Sequence, residues 1–135
     1  MKVDAVAVDF EKLAAFFCRD RNICFSTVFG SSVDGTVAVG SDLDIAVLFR
    51  QSPAPGEDYL RYYSRLCDVI PEVECVDFVN LNTADPILAF EALRGRVLSK
   101  NDPDETAAFT SRICREYEDV IGYLAHLRHL LAAGR

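Results

Sequence analysis

The sequence has few of the features that mark membrane, secreted or nucleic-acid-binding proteins. No uninterrupted apolar run approaches the ~20 residues that cross a bilayer, and Asp4 and Asp9 interrupt the N-terminal stretch where a secretory signal would be apolar. Only 14 of 135 residues are Lys or Arg, they form no run, and the net charge is −7. Such a chain lacks the clustered cations that neutralise a nucleic-acid backbone. A cytoplasmic protein without a membrane anchor is expected, and direct nucleic-acid binding is not.

Metal-binding cysteine pairs and glycine-rich nucleotide loops are also missing. The five cysteines never stand in Cys-x-x-Cys spacing, which excludes zinc-ribbon and thioredoxin-like sites. They are predicted to be buried small hydrophobic residues in a reducing compartment. Walker-type and dinucleotide-binding glycine patterns are absent. Pro and Gly together number only 12 of 135 residues, which excludes a disordered or collagen-like chain.

What remains is the alternation of helices and strands of one compact domain spanning residues 1–135. The pattern predicts an α/β or α+β arrangement built on one small sheet. Asp-Pro pairs mark two helix starts, because Asp caps a helix and proline suits its first position. The predicted helices are Phe10–Asp20, Asp58–Ile70, one from Asp85-Pro86 to near Arg94, and a long one from Asp102-Pro103 through Leu131. The predicted strands are Ile23–Phe29, Asp42–Phe49, Val73–Val79 and a short edge strand Arg96–Leu98.

Two of the strands carry aspartates where strands rarely do. Asp42 and Asp44 would share one face of their strand, because side chains two apart point the same way. Asp77 lies between Val76 and Phe78 in the next strand and would join them if the two strands are neighbours. Three converging carboxylates repel one another unless a divalent cation such as Mg²⁺ or Mn²⁺ lies between them. For the Asp-x-Asp pair alone, a solvent-facing strand without function is an equally good interpretation.

A glycine-serine turn precedes this strand at a fixed distance. Gly30 and Ser31 follow the strand Ile23–Phe29, and ten residues separate Ser31 from Asp42. Glycine lets a phosphate approach the backbone, and the N–H groups of such a turn bind anions. Alone, Gly-Ser is ordinary turn chemistry. Combined with the Asp-x-Asp strand, it predicts a triphosphate held by backbone donors at one end and by cations on the aspartates at the other.

The segment VFGSSVDGTVAVGSDLDIAVLF resembles the signature of the polymerase-β-like nucleotidyltransferases, and the short chain resembles their minimal branch. The resemblance covers about Ile23 to Leu98. It implies an α+β fold with a small mixed sheet flanked by helices. It also implies that Asp42, Asp44 and Asp77 are catalytic and bind two Mg²⁺ ions, or Mn²⁺, and that Gly30, Ser31 and Ser41 bind the nucleotide.

Minimal nucleotidyltransferases of this kind are typically paired with a helical HEPN-domain toxin. The resemblance therefore implies an antitoxin that transfers AMP from ATP to a tyrosine hydroxyl of that partner, with pyrophosphate leaving. Two alternatives stay open. One is transfer to a small molecule, whose relatives usually carry an additional acceptor domain. The other is a catalytically degenerate module that masks the toxin sterically.

One departure from the family pattern favours the degenerate alternative. The basic residue that commonly follows Gly-Ser is missing, and Asp34 adds a negative charge nearby. Elsewhere, the long terminal helix has little chain left to cover it, so it predicts a contact with a partner or a second copy. Tyr59, Tyr62 and Tyr63 are more typical of helix packing than of a base-stacking platform, because no basic groove accompanies them.

Overall fold

The computed structural model describes residues 5–134, which form four helices and six strands. In chain order they are β1 (Ala5–Ala7), α1 (Phe10–Arg19), β2 (Ile23–Phe29), β3 (Thr36–Ala38), β4 (Leu43–Phe49), α2 (Glu57–Val69), β5 (Val76–Asn80), α3 (Pro86–Leu93), β6 (Arg96–Lys100) and α4 (Pro103–Ala133). A short 3₁₀ helix, Gly30–Ser32, follows β2. No helix among residues 5–134 is long and apolar enough to span a membrane.

The central sheet is mixed and has four strands in the order β5-β4-β2-β6. The pairs β2–β4 and β2–β6 are antiparallel, whereas β4 and β5 are parallel. Parallel neighbours need a crossover connection, and α2 provides it between β4 and β5. This mixed sheet with flanking helices confirms the expected α+β fold.

Helices cover both faces of the sheet. On one face, Leu13 and Phe17 of α1 and Leu66 of α2 pack against Ile45 and Val47 of β4. We call this the α1/α2 face. On the other, Ala89 and Ala92 of α3 and Phe109 and Ile113 of α4 pack against Ala46, Leu48 and Phe25. We call this the α3/α4 face. Because both faces are covered, β2 is buried along its whole length, in agreement with its continuous apolar run.

Side-chain caps fix where the helices begin. Asp85 accepts hydrogen bonds from the N–H groups of Ile87 and Leu88, both at 3.0 Å. Asp102 accepts one from Glu105 N–H at 3.1 Å. In both helices proline occupies the first turn, where its missing N–H costs no hydrogen bond. The two Asp-Pro starts predicted from sequence are therefore confirmed.

Three expectations differ from the structure. β1 and β3 form a separate two-stranded antiparallel sheet that no long apolar pattern announces, because each has only three residues. β5 begins at Val76 rather than Val73, and β4 begins at Leu43, so Asp42 lies just outside its strand. The cysteines are not uniformly buried: Cys24 is buried, but Cys18 and Cys75 are exposed.

Candidate active site

Asp44 and Asp77 lie side by side at the start of β4 and β5. They are direct register partners in the parallel pair, which places their backbones about 4.8 Å apart. Asp44 alternates with the buried Leu43 and Ile45, and Asp77 alternates with Val76 and Phe78. Both aspartates therefore point to the α3/α4 face, beyond the point where α3 and α4 cover it. The predicted meeting of carboxylates from neighbouring strands is thus observed for this pair.

Asp42 stands at the entrance to the same strand. It is exposed and follows a turn in which Ser41 N–H donates to Ala38 C=O at 2.9 Å. The next residue, Leu43, donates to Cys75 C=O at 3.0 Å, which ties this turn to the start of β5. Asp42 precedes the first residue of β4, so strand alternation does not fix the direction of its side chain.

The environment of Asp44, including its partial burial and the charges of Asp77 and Asp42, raises the pKa of its carboxyl group. Partial burial raises the pKa of the Asp44 carboxyl from 3.8 to about 6. The neighbouring Asp77 adds to this rise by sharing a hydrogen bond with the protonated form and through its charge, and the charge of Asp42 contributes further. These carboxylates therefore repel one another at neutral pH, as the sequence argument required.

The Gly-Ser turn closes over this pair. Phe29, the last residue of β2, is the register partner of Asp44, so Gly30 follows directly beside it. Gly30 has a φ of 74°, which side chains rarely adopt, and a Cβ there would lie 2.5 Å from Oδ2 of Asp44. Ser31 and Ser41 are exposed. Only glycine fits where the turn meets the carboxylate.

The segment after the turn carries a fixed negative charge. Asp34 is exposed, and its carboxylate accepts hydrogen bonds from the N–H and the hydroxyl of Thr36 at 3.0 and 3.1 Å. These bonds lower the pKa of Asp34, which keeps it ionised at neutral pH. It is three residues beyond Ser31, and Ser32 occupies the position directly after Gly-Ser.

The chemistry of the donor set suits a hard divalent cation, which prefers carboxylate oxygens. Asp44 and Asp77 supply adjacent carboxylates whose mutual repulsion a cation would relieve. Asp42 would be the third ligand. Within residues 5–134, however, no three His, Cys, Asp or Glu side chains converge closely enough to form a metal-binding group. The pair fits such an ion, and Asp42 has to approach it for a complete site.

The sequence did not predict a contact of Gly95 with the end of β2, next to the Gly30 turn. Gly95, expected only to end α3, packs against the backbone of Val28 and Phe29, where a Cβ would clash. This places Arg94 and Arg96 beside the strand end that carries Gly30, and Arg96 also stacks over the Phe10 ring at 4.7 Å. More than 60 residues separate Gly95 from Val28 and Phe29, so no local sequence pattern indicates this contact.

A large groove lies elsewhere on the protein. It has a volume of about 790 Å³ and includes Arg50, Asp102 and Arg112. Arg50 follows the far end of β4, about 20 Å from Asp44 along the strand. Its guanidinium is already paired with Asp102 at 2.6 Å. This groove is not part of the carboxylate site.

A second candidate surface is the end of α4. Tyr117 stacks on Phe90 of α3 with ring centroids 3.8 Å apart. Beyond it the apolar stripe continues at three- and four-residue spacing without cover from the described residues, and Leu124 and Leu131 are 48% and 74% exposed. Residues 120–134 contain no carboxylate side chain. We call this stretch the α4 extension.

Comparison with known proteins agrees with this geometry. The sequence model of the family described as Polymerase beta, Nucleotidyltransferase matches residues 11–104, which include both strands of the site. The chain belongs to this family. No curated protein sequence matches the chain.

Several solved structures to which the chain is similar come from toxin–antitoxin complexes. A chain of a toxin–antitoxin crystal structure with AMP-PNP superimposes with a TM-score of 0.69 at 21% identity, covering 91% of this chain and 98% of that one. A chain from the complex of a tri-AMPylated HEPN toxin with its MNT antitoxin, from Shewanella oneidensis, gives 0.62 at 17% identity, with 90% and 96% covered. A chain of an MntA–HepT complex gives 0.62 at 20%, with 90% and 97% covered. These likenesses establish the shared fold.

Proposed function

We propose that this chain is a Mg²⁺-dependent nucleotidyltransferase antitoxin of one domain, acting in the cytoplasm. It transfers AMP from ATP to a tyrosine hydroxyl of a HEPN-domain toxin. The observation that carries the proposal is the pairing of Asp44 with Asp77 directly beside the Gly30 turn. The family match supports nucleotidyl transfer. The similar structures, which include a complex with AMP-PNP and one with an AMPylated toxin, support the nucleotide and the partner.

Each polar group has a role in this reaction. Asp42, Asp44 and Asp77 would hold Mg²⁺. When bound, Mg²⁺ supplies positive charge that stabilises the phosphate oxygens during transfer. Asp77, at the exposed outer strand, accepts the proton of the attacking hydroxyl. The hydroxyl oxygen forms a bond to the α-phosphorus, and the bond to the leaving pyrophosphate breaks.

The Gly-Ser turn would hold the remaining phosphates. Gly30 keeps the backbone close to Asp44 without a side chain in the way. Ser31 and Ser41 both precede the three aspartates in sequence and are exposed, and their hydroxyls can donate to phosphate oxygens.

The α4 extension is the surface we assign to the toxin. Its apolar stripe continues the one that already packs against a helix, α3, so a helix of the partner fits it best. Arg128 and two histidines lie on this stretch while the whole chain has a net charge of −7. An acidic helix therefore matches its charge better than a second copy of the same extension.

Label transfer from ATP tests the proposal. The chain is incubated with MgCl₂, ATP labelled at the α-phosphate and the protein encoded by the neighbouring reading frame. If the proposal is right, the neighbouring reading frame encodes a HEPN-domain protein, and label appears on one of its tyrosines with the wild-type chain and not with Asp44→Asn. Label that stays in free nucleotide with the wild-type chain refutes the transfer.

The steric alternative has its own support in the ionised Asp34 and in the incomplete convergence of Asp42. Neutralisation of the toxin separates the two functions. Catalytic action predicts that Asp42→Asn and Asp44→Asn each fail to neutralise a partner that they still bind. If both variants neutralise as well as the wild-type chain, masking is the function.

A further inference from the structure

Two tyrosines of α2 bond to β5 on either side of Asp77. The Tyr63 hydroxyl donates to the carbonyl of Val76 at 2.8 Å, and the Tyr59 hydroxyl donates to the carbonyl of Phe78 at 3.4 Å. The two tyrosines are one helical turn apart, and the two carbonyls flank the peptide units of Asp77. The spacing of the helix thus matches the spacing of the strand at this point.

These carbonyls lie on the open edge of the sheet. β5 pairs only with β4. Leu43 N–H donates to Cys75 C=O at one end of the pair, and Leu81 N–H donates to Val47 C=O at the other. Because backbone groups alternate in direction along a strand, the odd-numbered residues of β5 face β4 and the even-numbered ones face outward. The Val76 and Phe78 carbonyls therefore have no strand partner, and the tyrosines take that place.

We propose that Tyr59 and Tyr63 are positioning residues that hold Asp77 at the distance from Asp44 that the shared cation requires. This inference rests on the proposed function of the site. Asp77 itself is held by β4 on its inner edge, and the two hydroxyls fix the adjoining peptide groups on the outer edge. The carboxylate is then presented from a backbone restrained on both sides, although its side chain is exposed.

Restraint at this position matters because an edge strand is the least constrained part of a sheet. Reacting groups must be held to within about 0.5 Å for full activity, and a displacement of about 1 Å can cost a hundredfold in rate. Asp44 is enclosed by β2 and β5, so Asp77 is the ligand with more freedom to move. Hydrogen bonds that restrain the backbone of β5 therefore limit the movement of Asp77.

The third tyrosine of the helix, Tyr62, packs through its ring and makes no hydrogen bond to the described residues through its hydroxyl. Tyr62 is 8% exposed, and its ring lies 5.2 Å from that of Phe49 and 5.6 Å from that of Phe78. Its hydroxyl is buried without a hydrogen-bond partner. The same helix thus offers a matched control, in which loss of a hydroxyl removes no contact to β5.

The experiment compares the double variant Tyr59→Phe/Tyr63→Phe with Tyr62→Phe and the wild-type chain. Calorimetric titration with Mn²⁺ in the presence of AMP-PNP measures cation affinity without turnover. The double variant should need about three to ten times more Mn²⁺ for half-saturation, less than the 10- to 100-fold loss typical of removing a group bonded directly to a ligand. Tyr63→Phe alone should have a larger effect than Tyr59→Phe, because its bond is shorter. Tyr62→Phe should match the wild-type chain.

Two further readouts separate positioning from a general loss of structure. Hydrogen exchange of the β5 amides should accelerate in the double variant while that of β2 stays unchanged. The KM for ATP at saturating cation should also stay unchanged. Wild-type Mn²⁺ affinity in the double variant overturns the inference and leaves the proposed function standing. Failure of the wild-type chain to bind Mn²⁺ with AMP-PNP overturns both.

Discussion

Replacing Asp44 with asparagine should stabilise the cation-free protein at neutral pH while abolishing nucleotidyl transfer. The substitution keeps the size of the side chain and removes one of three mutually repelling charges. The asparagine amide can also donate to Asp77, which in the wild-type chain only a protonated Asp44 can do. Asp44, which the proposed reaction requires, is therefore expected to lower the free energy of unfolding of the cation-free protein.

The size of the gain follows from the raised pKa of Asp44. Between about pH 4 and pH 6 the folded protein binds more protons at this site than the unfolded chain, so the free energy of unfolding falls as the pH rises through this window. A rise from 3.8 to about 6 corresponds to at most about 3 kcal/mol. Asp44 is partly exposed, and solvent screening reduces this to roughly 1 kcal/mol.

Urea denaturation in EDTA, followed by far-UV circular dichroism at pH 4 and pH 7, measures the effect. Asp44→Asn should raise the free energy of unfolding at pH 7 by roughly 1 kcal/mol and leave it nearly unchanged at pH 4, where Asp44 is protonated in the folded state. Asp119→Asn is the control, because Asp119 is an exposed carboxylate on α4 far from the site. It should change little at either pH.

Adding MgCl₂ should reverse the order of stability at pH 7. A cation that binds only the folded wild-type chain stabilises it by mass action, and the variant lacks a ligand for it. An Asp44→Asn protein that is less stable than the wild-type chain in EDTA at pH 7 would refute the claim that these carboxylates repel one another. Equal stabilisation of both proteins by Mg²⁺ would refute the assignment of Asp44 as a ligand.

Three other substitutions probe the turn, the last helix and the partner surface. Gly30→Ala should reduce transfer at least about tenfold, because the new methyl group displaces the Asp44 carboxylate; label transfer measures this. Asp102→Ala should lower the free energy of unfolding in urea by about 1–2 kcal/mol, because α4 loses its N-cap. Leu131→Glu should leave that free energy unchanged, since Leu131 is 74% exposed, but weaken calorimetrically measured toxin binding about tenfold.

Matched variants make these outcomes decisive. Gly40 also has a positive φ, 84°, but open space around it, so Gly40→Ala shares the backbone strain without the clash. Equal activity of the two alanine variants would contradict the contact at Gly30. Ser64→Glu places the same charge on an exposed position of α2. If it weakens toxin binding as much as Leu131→Glu does, the α4 extension is not the docking surface.

The parts of the fold that could be predicted from sequence are those with a local signal. Asp85-Pro86 and Asp102-Pro103 announce helix starts because capping and proline geometry act within four residues. The continuous apolar run Ile23–Phe29 announces a fully buried strand. The position of Asp44 on the face opposite Leu43 and Ile45 follows from strand alternation alone.

What could not be predicted depends on register and on contacts between distant segments. Strand alternation allows Asp77 to meet Asp44 but does not set the register that pairs them. No sequence pattern predicts the hydrogen bonds of Tyr59 and Tyr63 to the edge of β5. A tyrosine that only packs and a tyrosine that also donates a hydrogen bond are the same residue in the sequence. The exposure of Cys18 likewise reflects its place on α1 rather than its chemistry.

All the aspartates and turn residues assigned to phosphate transfer lie on one continuous stretch, residues 30–77, in which β4, α2 and β5 form a single crossover unit. The surface assigned to the toxin begins only at residue 120. Catalysis and partner choice are therefore modular along the polypeptide, and each can diverge without disturbing the other. A chimera in which the α4 extension is replaced by that of another family member should keep its nucleotidyl-transfer activity and bind a different toxin.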